Sequence, residues 1–550
     1  MRDLSFSFTM PRGRNKGDLM TGTVKESTKA PNAGRMQAAS DAHAPERGDV
    51  LDEPQAVQAD SEEKPGGTRT SLLFGFIPIV PLAFLGLGIY RAWIEIAFVG
   101  SFVDFPFGAS DRDLFDAAMI VVSLICAALA KRIGPFFNKP SIYAASGILL
   151  VISTICVFSA CMRPELAGPL APIGALTGGV GIAFLILLWS ELYGCLNPMR
   201  VASYYSLAIA AGAVVIYIYR GFAFPWLFVM TALLPLISLL CVRSGFDSLP
   251  QSERPSTVWV QLSVPWKAIL LMATYAFAYG MLEMASYEGS FGPHSSPGTV
   301  VGALAVFFGV AARGKRFDFG LVYRVALPLT VAALLLLPSF NFMGGAASSF
   351  CVSAGYTMQS IIIMLIVANL CYRYGASAIW LFGIERGIRQ IFMMLGRGVT
   401  DGAHTFNLLG GNGEVFISIV SAIAVVAATM ILMSEGELSS NWGVKMVHRS
   451  DRQDEPGEKA PEMSIAERKH ELAARVAATA RKYKLSAREE EVLLLLAQRK
   501  TVGIIERELF IANGTAKAHV RHIYQKLDIH TRQELFDMLG VETKDPAEKS

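Results

Sequence analysis

Ile511-Ala-Asn-Gly-Thr-Ala-Lys-Ala-His-Val-Arg-His-Ile-Tyr-Gln-Lys-Leu527 is the stretch on which the reading of this chain turns. Asn513 and Gly514 open it as turn residues. Ala516, Val520, Ile523 and Leu527 then recur at helical steps and share one face. At roughly 100° per residue, Lys517, Ala518, Arg521 and Gln525 point the other way. That outward face is basic and hydrogen-bonding, with a small residue in its middle. A solvated amphipathic helix would also fit such a pattern in isolation. Its neighbours favour a helix that can enter the DNA major groove, where Ala518 lets the backbone come close.

Upstream, Ser486 with Glu489 three residues on forms a capping-box pair, and Val492, Leu493 and Leu496 then turn inward. Val502 to Phe510 reads as a second short helix, with Ile505 and Leu509 one turn apart. A turn leads to the basic helix, and Thr531 to Leu539 can form a fourth. Two helices joined by a tight turn, the second of them basic, follow helix-turn-helix order.

Residues 485–539 resemble the LuxR-type (GerE-like) helix-turn-helix family. The resemblance rests on Leu485-Ser486, Arg488-Glu489, Glu491-Val492-Leu493, Ile505, Leu509-Phe510-Ile511, Thr515, Lys517, His519-Val520, Lys526-Leu527 and Arg532. It implies that Lys517, Ala518 and Arg521 face the bases, and that Thr515, His519 and Lys526 lie at or near the phosphate backbone. His522 and Gln525 complete the expected DNA-binding set. The family binds DNA as a dimer, so a homodimer on an inverted repeat is expected. Leu535, Phe536 and Leu539 of the fourth helix are the expected pairing surface. Arg499 replaces a usual glycine, Glu506 a usual alanine and Ala516 a usual valine. Arg499 leaves open how the turn after the first helix is made.

The rest of the chain is of another kind. At 550 residues and 52% hydrophobic it is too apolar for an ordinary soluble protein. The net charge of +3 says little, but residues 464–540 carry fourteen Lys/Arg against ten Asp/Glu, which suits a nucleic-acid module. All seven cysteines fall in the apolar region without metal spacing and read as small apolar residues of membrane helices. Residues 1–70 are polar and aperiodic and read as a disordered tail without a signal peptide.

Residues 71–434 alternate apolar runs with short polar loops. Twelve spans are expected, near 72–90, 114–130, 141–160, 168–189, 202–219, 221–242, 268–286, 299–313, 321–338, 348–370, 377–396 and 413–433. Most approach the length of about 20 residues that crosses a bilayer core. Alternate loops concentrate Lys and Arg: Lys131, Arg132 and Lys139; Arg200; Arg243, Arg254 and Lys267; Arg313, Lys315 and Arg316; Arg373. The opposite set holds Arg112, Arg163, Arg220 and Arg397, with Arg91 at a span edge. The positive-inside rule places the first set in the cytoplasm, and with it both termini of an inner-membrane protein. The longest internal loop, 243–267, divides the spans six and six. That division resembles the major facilitator superfamily, whose halves are pseudo-repeats. Leu129-Ala-Lys-Arg-Ile-Gly134 is a degenerate match to that fold's loop motif, lacking its aspartate, and Ala312-Arg-Gly-Lys-Arg316 sits in the equivalent place of the second half.

Ionisable residues inside spans are functional candidates by default. Glu283 lies in the seventh span and Glu385, Arg386 and Arg389 in the eleventh, with Glu385 and Arg389 spaced to pair. Together they are the candidate sensing site, facing one another across the second half, and suit an anionic or zwitterionic small molecule. A buried ion pair that fixes helix register is the alternative. Trp189, Glu191 and Tyr193 mark a span end, with Trp189 and Tyr193 read as interfacial anchors. Residues 435–463 read as a linker, 464–484 as an amphipathic lead-in helix, 485–540 as the DNA-binding domain and 541–550 as a charged tail.

Gly410-Gly-Asn-Gly413 lacks the Gly-Lys-Ser/Thr of a P-loop, and neither HExxH nor a nucleophile elbow occurs. The expectation is therefore no enzyme, cofactor or metal site. The chain reads as all-α: a polytopic helix bundle in the bilayer, then a small four-helix domain on double-stranded DNA. As a whole it reads as a one-component transcriptional regulator that senses a signal through its membrane domain. A transporter with a regulatory DNA-binding tail is the alternative.

Overall fold

The structure is a computed structural model and describes residues 80–99, 102, 109–250, 253–255, 264–287, 292–313, 319–339, 346–406, 413–432, 465–509, 511 and 513–541. The expected tail 1–70, the linker 435–463 and most of 541–550 lie outside these residues. Among the described residues there are helices and no strands.

Helix α1 is Gly86–Ile94, preceded by a 3-10 turn (Leu82–Leu85) and continued by a π-helical turn (Glu95–Val99). Then follow α2 (Ala109–Ile133), α3 (Pro140–Met162), α4 (Ala167–Gly194), α5 (Pro198–Tyr219) and α6 (Phe224–Asp247). The second half comprises α7 (Trp266–Tyr287), α8 (Pro297–Arg313), α9 (Phe319–Ser339), α10 (Ala346–Tyr374), α11 (Ala378–Phe406) and α12 (Gly413–Leu432). Among the described residues seven stretches are long and apolar enough to cross a membrane, and Pro297–Ala312, Arg324–Leu335 and Phe416–Leu432 are shorter apolar stretches. Outward-facing side chains agree with a lipid surround: Val121, Ile125 and Leu129 are exposed on successive turns of α2, as are Ile148, Ile152 and Ile155 on α3.

Eleven of the twelve expected spans overlay their helices within a few residues at the starts. Of the first, expected near 72–90, residues 72–79 lie outside the described residues; a turn capped by Pro81 starts at Leu82, and the helical run continues to Val99, past the expected end. The extension carries Arg91 and Glu95 into the bundle, where Glu95 is fully buried.

The six-plus-six division appears in the packing itself. Helix α1 packs on α5 and α6, α2 on α4, and α3 on α4 and α6. Adding six to each number yields the second half: α7 on α11 and α12, α8 on α10, α9 on α10 and α12. The seam obeys the same exchange, with α2 against α11 matched by α8 against α5. The tightest crossing is repeated too. A Cβ on Gly88 would stand 2.0 Å from the Ala208 carbonyl oxygen where α1 meets α5. A Cβ on Gly280 would stand 2.2 Å from the Met393 carbonyl oxygen where α7 meets α11. Without a hydrophobic driving force between helices in lipid, such close backbone approach supplies the packing contacts.

Helix α13 (Ile465–Lys482) leads into α14 (Ala487–Ala497), α15 (Val502–Leu509), α16 (Asn513–Leu527) and α17 (Arg532–Met538). The capping box is present: Glu489 N–H donates to Ser486 Oγ, and Ser486 N–H donates to Glu489 Oε2 at 2.7 Å. Arg499, at φ 62°, answers how the turn after α14 is made without glycine. Arg499 N–H donates to the Leu496 carbonyl and Lys500 N–H to that of Leu495, both at 3.0 Å, closing a Schellman cap. Lys484 (φ 51°) and Asp528 (φ 55°) end α13 and α16 in the same left-handed way.

Two expectations are corrected here. Leu535, Phe536 and Leu539 are no outer pairing surface: they are buried in the domain's own core, leaving Met538 exposed on α17. The helix is only two turns long, so its apolar stripe is used up in holding it to the domain. Trp189 and Tyr193 are not interfacial anchors either, because α4 runs on to Gly194 and buries them together with Glu191. Trp189 Nε1–H donates to Ser238 Oγ, Tyr193 O–H to the Phe84 carbonyl, and Glu191 accepts from the backbone N–H groups of Phe136 and Phe137.

Candidate DNA-reading helix and polar cavity

In α16, Ala516, Ile523 and Leu527 are buried and bind the helix to α14 and α15. Thr515, Lys517, Ala518, Arg521, His522, Gln525 and Lys526 are exposed, and His519 is half-buried. The face expected to read bases therefore stands in solvent as one basic surface. Lys526 has an intramolecular partner, its Nζ lying 2.6 Å from Glu489 Oε2. Burial pushes the Glu489 carboxyl up, but hydrogen bonds from Lys526 and from Ser486 outweigh it and hold the group below its ordinary value. His519 is held below the ordinary imidazole value, by burial first and then by Arg488 and His522. It is therefore neutral near pH 7 and able to donate or accept one hydrogen bond.

The polar residues of the bundle form two groups around one cavity of about 100 Å³ at the seam between the halves. At about 10–15 Å³ per water centre, this holds several waters or a small organic molecule. In the first group, Arg389 Nε lies 3.4 Å from Glu385 Oε1 and Arg386 Nε lies 3.4 Å from Glu385 Oε2. Two guanidinium groups thus share one carboxylate. Arg386 and Arg389 line the cavity; Glu385 stands behind them.

Glu283 belongs to the second group and does not meet the Glu385 cluster directly. Arg397 Nη1–H donates to Glu283 Oε2 at 2.8 Å, and Nη2–H donates to Asp113 Oδ1 at 3.0 Å and to Asp116 Oδ2. Arg112 flanks the same acids, 3.3 Å from Asp116 and 3.6 Å from Glu283. This clasp ties α2 of the first half to α7 and α11 of the second. Arg112 and Arg397 are thus helix residues turned inward, not loop charges as expected from the sequence.

The cavity has a third cation, Arg91 on α1, which makes no hydrogen bond or ion pair with the described residues. Tyr90, Tyr279 and Tyr356 line the same space, the last two stacked with centroids 4.5 Å apart. Sequence reasoning left Arg91 at a span edge because the first span was expected to end at residue 90, whereas the helical run continues to Val99. At the end away from the DNA-binding domain, Glu95 accepts from His294 N–H at 2.6 Å and from Ser295 N–H at 2.9 Å. Tyr217 O–H donates to the Ser295 carbonyl at 2.6 Å, so two elements of the first half hold this second-half loop down over the cavity. Burial, with Arg91 and Arg112 nearby, keeps His294 neutral. At the opposite end, a Cβ on Gly194 would stand 3.2 Å from Cys371 Cβ and from Ala378 Cβ, so α4 meets α10 and α11 there. No group of three metal-ligating side chains occurs among the described residues.

Residues 483–539 match the family described as bacterial regulatory proteins, luxR family (GerE). An HTH-type transcriptional regulator of Escherichia coli (strain K12), YhjB, is 39% identical over 57 residues, 10% of this chain and 28% of that relative. Solved transporters of the major facilitator type are similar to the bundle. FucP, an E. coli fucose:proton symporter, in its outward conformation has 13% identity and a TM-score of 0.42, covering 64% of this chain and 97% of that one. The human organic anion transporter MFSD10 has 15% identity and a TM-score of 0.44, covering 64% of this chain and 98% of that one. These likenesses carry nothing about substrate or transport. Residues 483–539 are a LuxR-type helix-turn-helix domain, carried by a chain whose preceding helices form a membrane bundle.

Proposed function

We propose that the protein is a membrane-embedded, one-component transcriptional regulator. Its DNA-binding domain reads operator sequence, and its bundle binds a small-molecule signal. The observation that carries this reading is the exposed basic face of α16, in a domain whose chain continues from a membrane bundle with an internal polar cavity. The domain lies at the end of the bundle where α4 and α10 terminate. DNA is on the cytoplasmic side of a bacterial inner membrane, so that end is cytoplasmic and both termini lie inside. The loop arginines and lysines support the same orientation.

Lys517, Ala518 and Arg521 face bases, with His522 and Gln525 beside them; Thr515, His519 and Lys526 lie along the phosphates. Two copies read an inverted repeat with half-sites about one helical turn apart. In the cavity, Arg386 and Arg389 share one carboxylate and Arg91 has none, an arrangement that suits an anionic or zwitterionic ligand. Glu283 shapes the far wall. A ligand that prefers one arrangement of the halves can then bias what the DNA-binding domain does.

The test is a genome-wide map of DNA bound by the full-length protein, paired with expression changes on deletion. Inverted-repeat sites upstream of responding genes are expected, and random occupancy would refute the reading. A transporter with a regulatory tail is the second reading, favoured by the cavity on the seam. Solute flux in reconstituted vesicles would establish it, and ligand-dependent DNA binding without flux would exclude it.

A further inference from the structure

Helix α14 is apolar on more sides than a four-helix domain requires. Val492, Leu493 and Leu496 fill the domain's interior, yet Leu494 and Leu495 are buried as well, Leu495 to 1% exposure. Helix α13 packs on α14 and covers part of this surplus with Ala473, Val476 and Ala480, and the bundle meets another part. By helical spacing Glu491, Leu495 and Gln498 form one stripe. Its two polar ends meet the same residue of the bundle. Arg373 Nη1 lies 3.9 Å from Glu491 Oε1, and Gln498 Nε2–H donates to the Arg373 carbonyl at 3.4 Å. Arg373 is the penultimate residue of α10, and it and Glu491 are only 7% and 4% exposed. One residue earlier, Tyr372 carries Lys500 Nζ 6.0 Å from its ring centroid. Helix α13 also packs on α10. Helix α15, on the other side of the domain, packs on α5.

Helix α10 belongs to the second half of the bundle and α5 to the first. The domain therefore straddles the seam, at the end where Gly194 of α4 closes against Cys371 of α10. We propose that this is a latch: the DNA-binding domain docks on the ends of α5 and α10 only while the halves are closed there. Parting of the halves at that end carries α5 away from α10, and the domain cannot follow both. The reading face of α16 stays exposed in the docked domain, so docking does not cover the bases' readers. What docking withholds is freedom of placement. Two copies must set their reading helices about 34 Å apart, and a domain fixed to its own bundle cannot adjust to that spacing. Release permits pairing, and the signal acts by releasing. The inference rests on the reading of this chain as a DNA-binding regulator.

The experiment uses full-length protein in phospholipid vesicles, titrated with a labelled duplex taken from the genome-wide map. Hydrogen exchange of residues 465–509 is measured on the same samples. Arg373→Ala lies in the bundle and leaves the reading helix untouched. It is expected to tighten DNA binding at least tenfold and to raise exchange in 465–509. Arg373→Lys, which keeps a cation opposite Glu491 and leaves the Arg488–Glu491 pair alone, should hold both within threefold of the wild type. Should Arg373→Ala not accumulate in the membrane, Tyr372→Leu carries the same expectation. Unchanged or weakened DNA binding with unchanged exchange in the folded variant would overturn the latch. Failure of the wild type to bind DNA would instead overturn the regulator reading, while the exchange data would still decide whether the domain docks.

Discussion

Arg397 offers the sharpest measure of what holds the two halves together. Its guanidinium donates to Glu283, Asp113 and Asp116, joining three helices of both halves. Glu283 and Asp116 are both nearly inaccessible, at 2% and 0% exposure. Arg397→Met leaves them with Arg112, which is already 3.3 and 3.6 Å away and cannot replace a bridging fork. Removing one partner of a buried pair costs about 3–5 kcal/mol, because the remaining charge stays desolvated. The expected loss of stability is of that size for Arg397→Met. It should be smaller for Arg397→Lys, which keeps the charge and loses the fork. The assay is denaturant unfolding of the purified protein in detergent, followed by helical circular dichroism. A double-mutant cycle supplies the control. On a background of Asp116→Asn with Glu283→Gln, the same Arg397→Met change should cost at least 1 kcal/mol less, as expected of coupled neighbours. A cost below about 0.5 kcal/mol in the otherwise wild-type protein, or perfect additivity in the cycle, would refute the clasp.

Arg521→Ala should cost about 1–3 kcal/mol of binding and relax specificity at one base pair, and an equal loss on every DNA sequence would show a phosphate contact instead. Arg389→Ala should leave DNA binding by the isolated domain intact but make the full-length regulator blind to its inducer. Normal induction in a reporter strain, at normal abundance by immunoblot, would remove that arginine from sensing. The Glu489 carboxyl, held below its ordinary value in the folded domain, contributes stability that is complete above the ordinary value near 4.5 and is lost as pH falls through the depressed one. Acid unfolding of the DNA-binding domain should therefore be less steep in Glu489→Gln, and an unchanged acid limb would refute that. Arg499→Gly should be more stable than Arg499→Ala by about 1 kcal/mol, since both lose the guanidinium over Phe536 and only glycine is at ease at a φ of 62°. A more stable alanine variant would mean that the cap tolerates the left-handed residue without strain.

Local pattern was enough for the DNA-binding module. The period of Ala516, Ile523 and Leu527, the Ser486–Glu489 cap and the short turns are contacts within a few residues of each other. Their outcome is decided by spacing alone, and the exposed face of α16 follows from the buried one. The membrane bundle was legible as a count of apolar runs for the same reason. Its first helical run continues to Val99, past the expected end at residue 90, because Arg91 and Glu95 interrupt the apolar pattern in the sequence while the fold turns them into the bundle. What the sequence could not show is which buried charges meet. Arg397 and Asp116 are 281 positions apart, and Glu95 and Ser295 are 200. That Glu283 bonds to Arg397 was not legible, because pairing across a seam depends on how helices are turned toward each other, which no periodicity records. The burial of Leu535 and Leu539 and the second face of α14 are of the same kind. An apolar stripe announces that it will be covered; only the assembled structure decides whether its own domain, the bundle or another chain covers it.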